Sequence, residues 1–325
     1  MADKFESFIT DTLNGVLEEH IKTLKTQEEV DEFFEKYEQA DFSEAYKVII
    51  EDISNQMVED AKTIMHENSL FFRNEESEIL ARINQKWSNA FVASESMYMM
   101  VFEAVKEYSE FVNEMDNKER EKSIQTYTAL KYIHGRGLQQ FLEIITLMKN
   151  GFADGAYARW RSLYELNIIA SFISKYGEKV AESYISSQNT EDRYEWARAC
   201  GEFSSKKKFI RFDDIKNKAS FPSDLWHQEY QLANEVVHPS SQGTFHRIGT
   251  ISNEEVITVG HTDFGLTTPG EHSAITLAQL TGLFLRVYPS GDALLSASMI
   301  NKWVDVVREY YFKTHDYIFP DEPKL

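Results

Sequence analysis

Apolar side chains recur every three or four positions along most of this chain, a spacing that predicts helices. Phe5, Phe8, Ile9, Leu13, Val16, Leu17, Ile21 and Leu24 make the first such stripe. Thr26 and Glu29 have the spacing of a capping box and open a second helix, with Val30, Phe33, Phe34 and Tyr37 inward. Ser43 is placed to cap a third, buried through Tyr46, Ile49, Ile50, Ile53, Met57 and Ile64. From Glu75 to Val112 the pattern runs for roughly forty residues without glycine or proline, unusually long for a globular domain. Such a helix would serve as a spine or as a homodimer seam, unless its apolar stripe is covered within the chain. Charged and turn-forming residues from Asn113 to Lys118 break it.

A helix over about 119–149 carries Gly135 and Gly137 at its centre. Each costs about 1 kcal/mol against alanine, so close approach of a neighbouring helix is expected there. Asn150-Gly151 then turns the chain into a helix ending at Gly177, and the two should form an antiparallel hairpin. Shorter helices are expected over 178–201, and one from Pro222 to His238 that Pro239 ends. Thr244–Gly249 and Val256–Gly260 have strand composition and predict a small β-hairpin. Two final helices follow, divided at Ser290-Gly291. The expected architecture is mainly α, a multi-helix bundle of about ten helices with one small β-hairpin insert. Two regions are expected: 1–116, acidic and containing the long helix, and 117–325, carrying any site.

Charge sharpens that division. The net charge is −19, yet residues 1–120 hold 28 acidic and 12 basic side chains, leaving a net −3 for the remaining 205 residues. An acidic shell opposes a broad nucleic-acid surface, because phosphate affinity comes from clustered lysine and arginine. The one basic run is Lys206-Lys207-Lys208-Phe209-Ile210-Arg211, followed by Lys216 and Lys218. It reads as a solvated loop, or as a local contact whose aromatics stack on bases. The single cysteine, Cys200, excludes an internal disulfide and fits a reducing cytoplasm. No targeting or membrane-spanning segment is evident, so a soluble cytoplasmic protein is expected.

Candidate chemistry concentrates in two places. The helix 151–177 is largely apolar but contains Asp154, Arg159, Arg161, Glu165 and Asn167, which need partners if buried. Arg161 and Glu165, four apart, share a face. They form either a pair facing a pocket, with Arg161 holding a phosphate or carboxylate, or an internal salt bridge. Asn234 and His238 are also four apart, and histidine suits proton transfer near neutral pH, though a helix C-terminus also favours its cation structurally. His134 and Arg136, in the glycine-flanked turn of the preceding helix, would reach the same centre if the hairpin packs as predicted. His246, His261 and His272, with Asp263 and Glu271, have no metal-site spacing. P-loop, dinucleotide, serine-hydrolase and paired-cysteine motifs are absent, and neither cofactor nor metal is expected.

The segments RSLYEL at 161–166, NEVVHPSS at 234–241 and DFGL at 263–266 resemble a bacterial helical family of unknown function, over roughly residues 120–290. A more distant likeness is to the HEPN ribonucleases of toxin–antitoxin and phage-defence systems, whose motif is arginine, a polar residue, three variable residues and histidine. Asn234 and His238 match its last two fixed positions, while Ala233 stands where the arginine belongs. Arg161 would have to supply the guanidinium from another helix. That likeness implies metal-independent RNA cleavage, with His238 as acid or base and an arginine stabilising charge on phosphate. The competing expectation is a non-enzymatic helical module that binds a protein partner through the long helix, or a small anionic ligand near Arg161.

Overall fold

A computed structural model describes residues 21–38, 43–189, 191–220, 226–238, 240–245, 247–250 and 258–321, together with Gly15, Glu18 and Glu19. Most of the first predicted stripe, as well as Pro222, Pro239 and His246, lies outside them. In chain order the helices are α1 (Gln27–Glu38), α2 (Ser43–Lys86), α3 (Ser88–Glu114), α4 (Asn117–Glu121), α5 (Ile124–Lys149) and α6 (Ala153–Tyr176). They continue as α7 (Glu178–Ser186), α8 (Phe212–Lys218), α9 (His227–Val237), α10 (Ser241–Phe245), α11 (Thr267–Leu285) and α12 (Gly291–Ile318). Short 3₁₀ turns cover Ser187–Asn189 and Glu195–Cys200. Two compact units are distinguished, Met1–Arg73 and Asn74–Leu325.

In the first unit the capping box forms as the sequence predicts. Thr26 Oγ1 accepts from the Glu29 N–H at 3.2 Å, and Glu29 Oε2 accepts from the Lys25 and Thr26 N–H groups at 2.7 and 3.1 Å. Those backbone donors hold the Glu29 carboxyl below its usual range. The third predicted helix does not stop near Ile64; α2 continues to Lys86. Within residues 43–73 many apolar side chains remain exposed, among them Met57, Val58, Phe71 and Phe72.

In the second unit the long pattern from Glu75 to Val112 is interrupted once, at Trp87 (φ −96°, ψ 10°). Helical bonding persists around it, the Trp87 N–H donating to Ile83 O and the Phe91 N–H to Trp87 O, both at 3.0 Å. The buried indole sits beside Tyr311 and donates to Asp263 O at 3.0 Å. The stripe of α3, including Phe91, Met97, Val101, Tyr108 and Val112, is buried against α5, α11 and α12. The chain itself therefore covers that part of the expected dimer seam.

Helices α5 and α6 form the predicted hairpin. Gly151 adopts φ 69°, where an L side chain is strained, and an added Cβ would lie 2.8 Å from Thr262 O. The reason for the mid-helix glycines is also steric at one of them: a Cβ at Gly137 would fall 2.4 Å from Leu280 Cδ2 and 3.2 Å from Leu163 Cδ1. Close packing of α5 on α6 and α11 requires it. Gly135 has open space beside it and no such explanation.

The predicted β-hairpin is corrected. No strand occurs among the described residues; Thr244 and Phe245 end α10, and 251–257 lie outside the described residues. Ser240 overrides the strand composition by turning the chain: its Oγ accepts from the Gly243 N–H at 3.1 Å, and its carbonyl from the Thr244 N–H at 3.0 Å. Asp154 then fixes the next turn, accepting from the Ile248 N–H at 2.9 Å and Arg247 Nε at 3.1 Å. Among the described residues no helix is long and apolar enough to cross a membrane.

Candidate functional site

The five polar residues that the sequence singles out inside α6 each have a partner, and those of Arg161 and Glu165 assemble the site. Asp154 holds Arg247, Arg159 pairs with Glu143 of α5, and Asn167 Nδ2 donates to Gln279 Oε1 at 2.9 Å. Arg161 reaches Glu165 one turn on, Nη2 to Oε1 at 3.0 Å. Glu165 Oε1 also accepts from the Tyr230 hydroxyl of α9 at 2.8 Å. Arg193 approaches Oε2 of the same carboxylate at 4.0 Å. One carboxylate thus ties α6 to α9 and to the segment before the second 3₁₀ turn.

Tyr230 is the centre of this arrangement. The Arg161 guanidinium lies 5.5 Å from its ring centroid and the Lys216 ammonium 5.1 Å from it. Lys216, from α8, also lies 6.0 Å from the ring of Tyr164, which packs 5.2 Å from Tyr230. Burial, reinforced by the bond to Glu165, pushes the Tyr230 phenol far above its usual range. Burial and the nearby Glu229 charge push Tyr164 up to about 12. Both phenols are neutral at physiological pH and present their ring faces to cations.

The site's cations are incompletely matched. Lys216 is only 8 % exposed, and no carboxylate pairs with it among the described residues. Arg161 Nε is buried without an acceptor, and so is Asn234 Oδ1 without a donor. The basic run leads into this cluster. Arg198 pins its loop through the Ser204 and Lys207 carbonyls, Lys207 pairs with Asp214 at 2.5 Å, and Phe212 stacks 6.0 Å from Tyr230. Lys208 and Arg211 remain exposed beside it.

The four sequence candidates divide. Arg161 and Glu165 meet, and Tyr230 links them to α9. Asn234 lies one turn further along α9. His238 is at the exposed C-terminal cap, its N–H donating to Asn234 O at 3.0 Å. Eight residues separate Tyr230 from His238, about 12 Å of helix axis. No hydrogen bond or ion pair joins the His238 side chain to the other three.

The remaining candidates are placed elsewhere. His134 is buried, bonded through Nε2 to Thr281 Oγ1 at 3.0 Å and stacked on Phe284. Arg136 pairs with Gln139 and Glu143 instead of entering the cluster. His261 bonds Asn150 O through Nδ1 at 2.6 Å and faces Glu76 through Nε2 at 3.2 Å. His272 packs among Tyr157, Trp160 and Trp226. Asp263 pairs with Lys86, and Glu271 with Arg308. Among the described residues no group of His, Cys, Asp and Glu could hold a metal ion.

Sequence reasoning missed Tyr230 and Arg193 and left Lys216 in a solvated run. One signal was available: Tyr230 precedes Asn234 by four, on the same face of α9. Residues 127–218 match a family model described as a family of unknown function (DUF5677). That span contains Arg161, Glu165, Arg193 and Lys216 but ends before α9. No curated protein and no solved structure matches the chain.

Proposed function

We propose that the second unit is a non-enzymatic binding module, and that the cluster of Arg161, Lys216, Tyr230 and Arg193 takes a small phosphate-bearing anion. The observation that carries this reading is Lys216, a lysine only 8 % exposed whose ammonium is held against two tyrosine faces with no carboxylate paired to it among the described residues. Cation–π contacts contribute about 0.5–2 kcal/mol each, less than the several kcal/mol that an uncompensated buried charge costs. An incoming anion would supply the missing compensation. Arg161 is partly occupied by Glu165 but keeps a free Nε, and Arg193 has 76 % of its side chain exposed for recruitment. Lys208 and Arg211 extend the positive face in an otherwise acidic chain.

RNA cleavage requires His238 and a guanidinium at one phosphate. The two helical turns between His238 and the Tyr230 contact of Arg161 favour binding over cleavage. Titrating the full chain with pyrophosphate should show saturable binding that weakens with salt and falls at least about tenfold in Lys216→Met. Methionine keeps the apolar stem and removes the charge. Absence of binding, or equal binding by Lys216→Met, would overturn the reading. Incubation with a short single-stranded RNA should leave it intact; cleavage abolished by His238→Ala would replace this reading with a ribonuclease.

A further inference from the structure

A hollow opens beside Asn167 of α6. It has a volume of about 200 Å³ and lies between α6, α11 and α12, lined in part by Asn167, Ser171, Gln279, Gly282, Arg286 and Asn301. None of these residues belongs to the anion cluster. From this cavity we infer a binding site for a small zwitterion of amino-acid size, its ammonium directed to the Asn167 and Asn301 carbonyl oxygens and its carboxylate to Arg286.

The inner wall holds an unmet acceptor. Asn167 is fully buried, yet its Oδ1 has no hydrogen-bond partner, while its Nδ2 is committed to Gln279 Oε1 at 2.9 Å. An unsatisfied buried acceptor of this kind costs about 1–3 kcal/mol unless something donates to it. Asn301 spends its Nδ2 on Ala297 O at 2.8 Å, which leaves its Oδ1 as an acceptor as well. The wall therefore offers the Asn167 and Asn301 carbonyl oxygens to an ammonium group, while the Ser171 hydroxyl and Gln279 Nε2 remain as donors for a carboxylate.

The rim has the opposite character. Arg286 caps the C-terminus of α11, is exposed, and has no ion-pair or hydrogen-bond partner among the described residues. A guanidinium in that state suits a carboxylate, which it can grip through two parallel bonds. No aspartate or glutamate lines the hollow, so nothing competes for Arg286. Gly282 sits in the last turn of α11 on the lining, and a Cβ there would meet no atom within 4 Å. The backbone of α11 thus faces open space where a side chain would ordinarily stand.

Size selects within this chemistry. Pockets for drug-sized ligands run to roughly 300–1,000 Å³, so this one suits a molecule of only several heavy atoms. A free α-amino acid satisfies the acceptors and the guanidinium together, which neither a simple amine nor a simple acid does.

The test uses the full chain, screened by thermal shift and then calorimetry against the common α-amino acids. Each is paired with the amine lacking its carboxylate and the acid lacking its ammonium. At least one amino acid should bind, with both truncated analogues and Arg286→Gln weakening it at least about tenfold. Gly282→Leu, which fills the hollow with a good helix former, should abolish binding without lowering the unliganded melting temperature. Pyrophosphate binding at the Lys216 cluster should be unchanged in both variants, which separates this site from that one. If no amino acid binds, if the truncated analogues bind equally, or if neither variant weakens binding, the inference is overturned and the hollow holds only water.

Discussion

Trp160→Ala should destabilise the second unit by about 4 kcal/mol, a large share of the roughly 5–15 kcal/mol typical of a domain. The indole is fully buried and touches Tyr157, Tyr164, Trp226 and His272, with ring centroids 4.9, 5.6, 5.9 and 5.0 Å away. Its N–H donates to Thr276 Oγ1 at 3.0 Å, tying α6 to α11. Alanine removes these contacts together and leaves a cavity that rigid helices cannot collapse to fill. The measurement is urea unfolding of the full chain: the midpoint should fall with the slope unchanged. Trp160→Phe should cost less, because the ring volume is largely kept. A loss below about 1 kcal/mol for alanine would show that the α6–α9–α11 junction is not closely packed.

The second large effect is acid instability that begins above the range where carboxylates titrate. Burial lowers His134 from its usual 6.5 to about 4. Burial, with the Arg308 charge nearby, lowers His272 to about 3. Both imidazoles are therefore neutral in the fold, and the unfolded chain takes up protons first as pH falls. Stability is fully present above about pH 6.5 and is lost progressively as pH drops toward the folded values. Between pH 7 and pH 5 the two histidines together should remove about 4 kcal/mol, the slope approaching 1.4 kcal/mol per pH unit for each below pH 6. Urea unfolding at several pH values gives the slope, and His134→Gln should remove about half of it. A flat profile from pH 7 to pH 5 would mean that these imidazoles can be charged within the fold.

The helices were legible because the apolar period is unbroken. The Thr26–Glu29 cap, the break at Asn113–Lys118, the α5–α6 hairpin and the crowding at Gly137 all follow from local residue chemistry. Trp87 was not legible as a kink, since no glycine or proline marks it; its indole's bond to Asp263, distant in sequence, accompanies the turn. The strand composition of 244–249 misled for a related reason. Side-chain acceptors on Ser240 and Asp154 take the backbone donors that a ladder would use. In the candidate site, Arg161 and Glu165 could be found from their spacing alone. Lys216 could not, because only the meeting of α6, α8 and α9 converts an apparently solvated lysine into a buried cation.

The central claim is that an anion completes the charge balance around Lys216, and the most direct measurement is a crystal structure soaked in tungstate. A strong anomalous peak from tungsten should appear about 4 Å from the Lys216 ammonium, with a tungstate oxygen in charge-assisted contact with it, and beside Arg161. A map with tungstate bound elsewhere on the chain and nothing beside Lys216 would contradict the account.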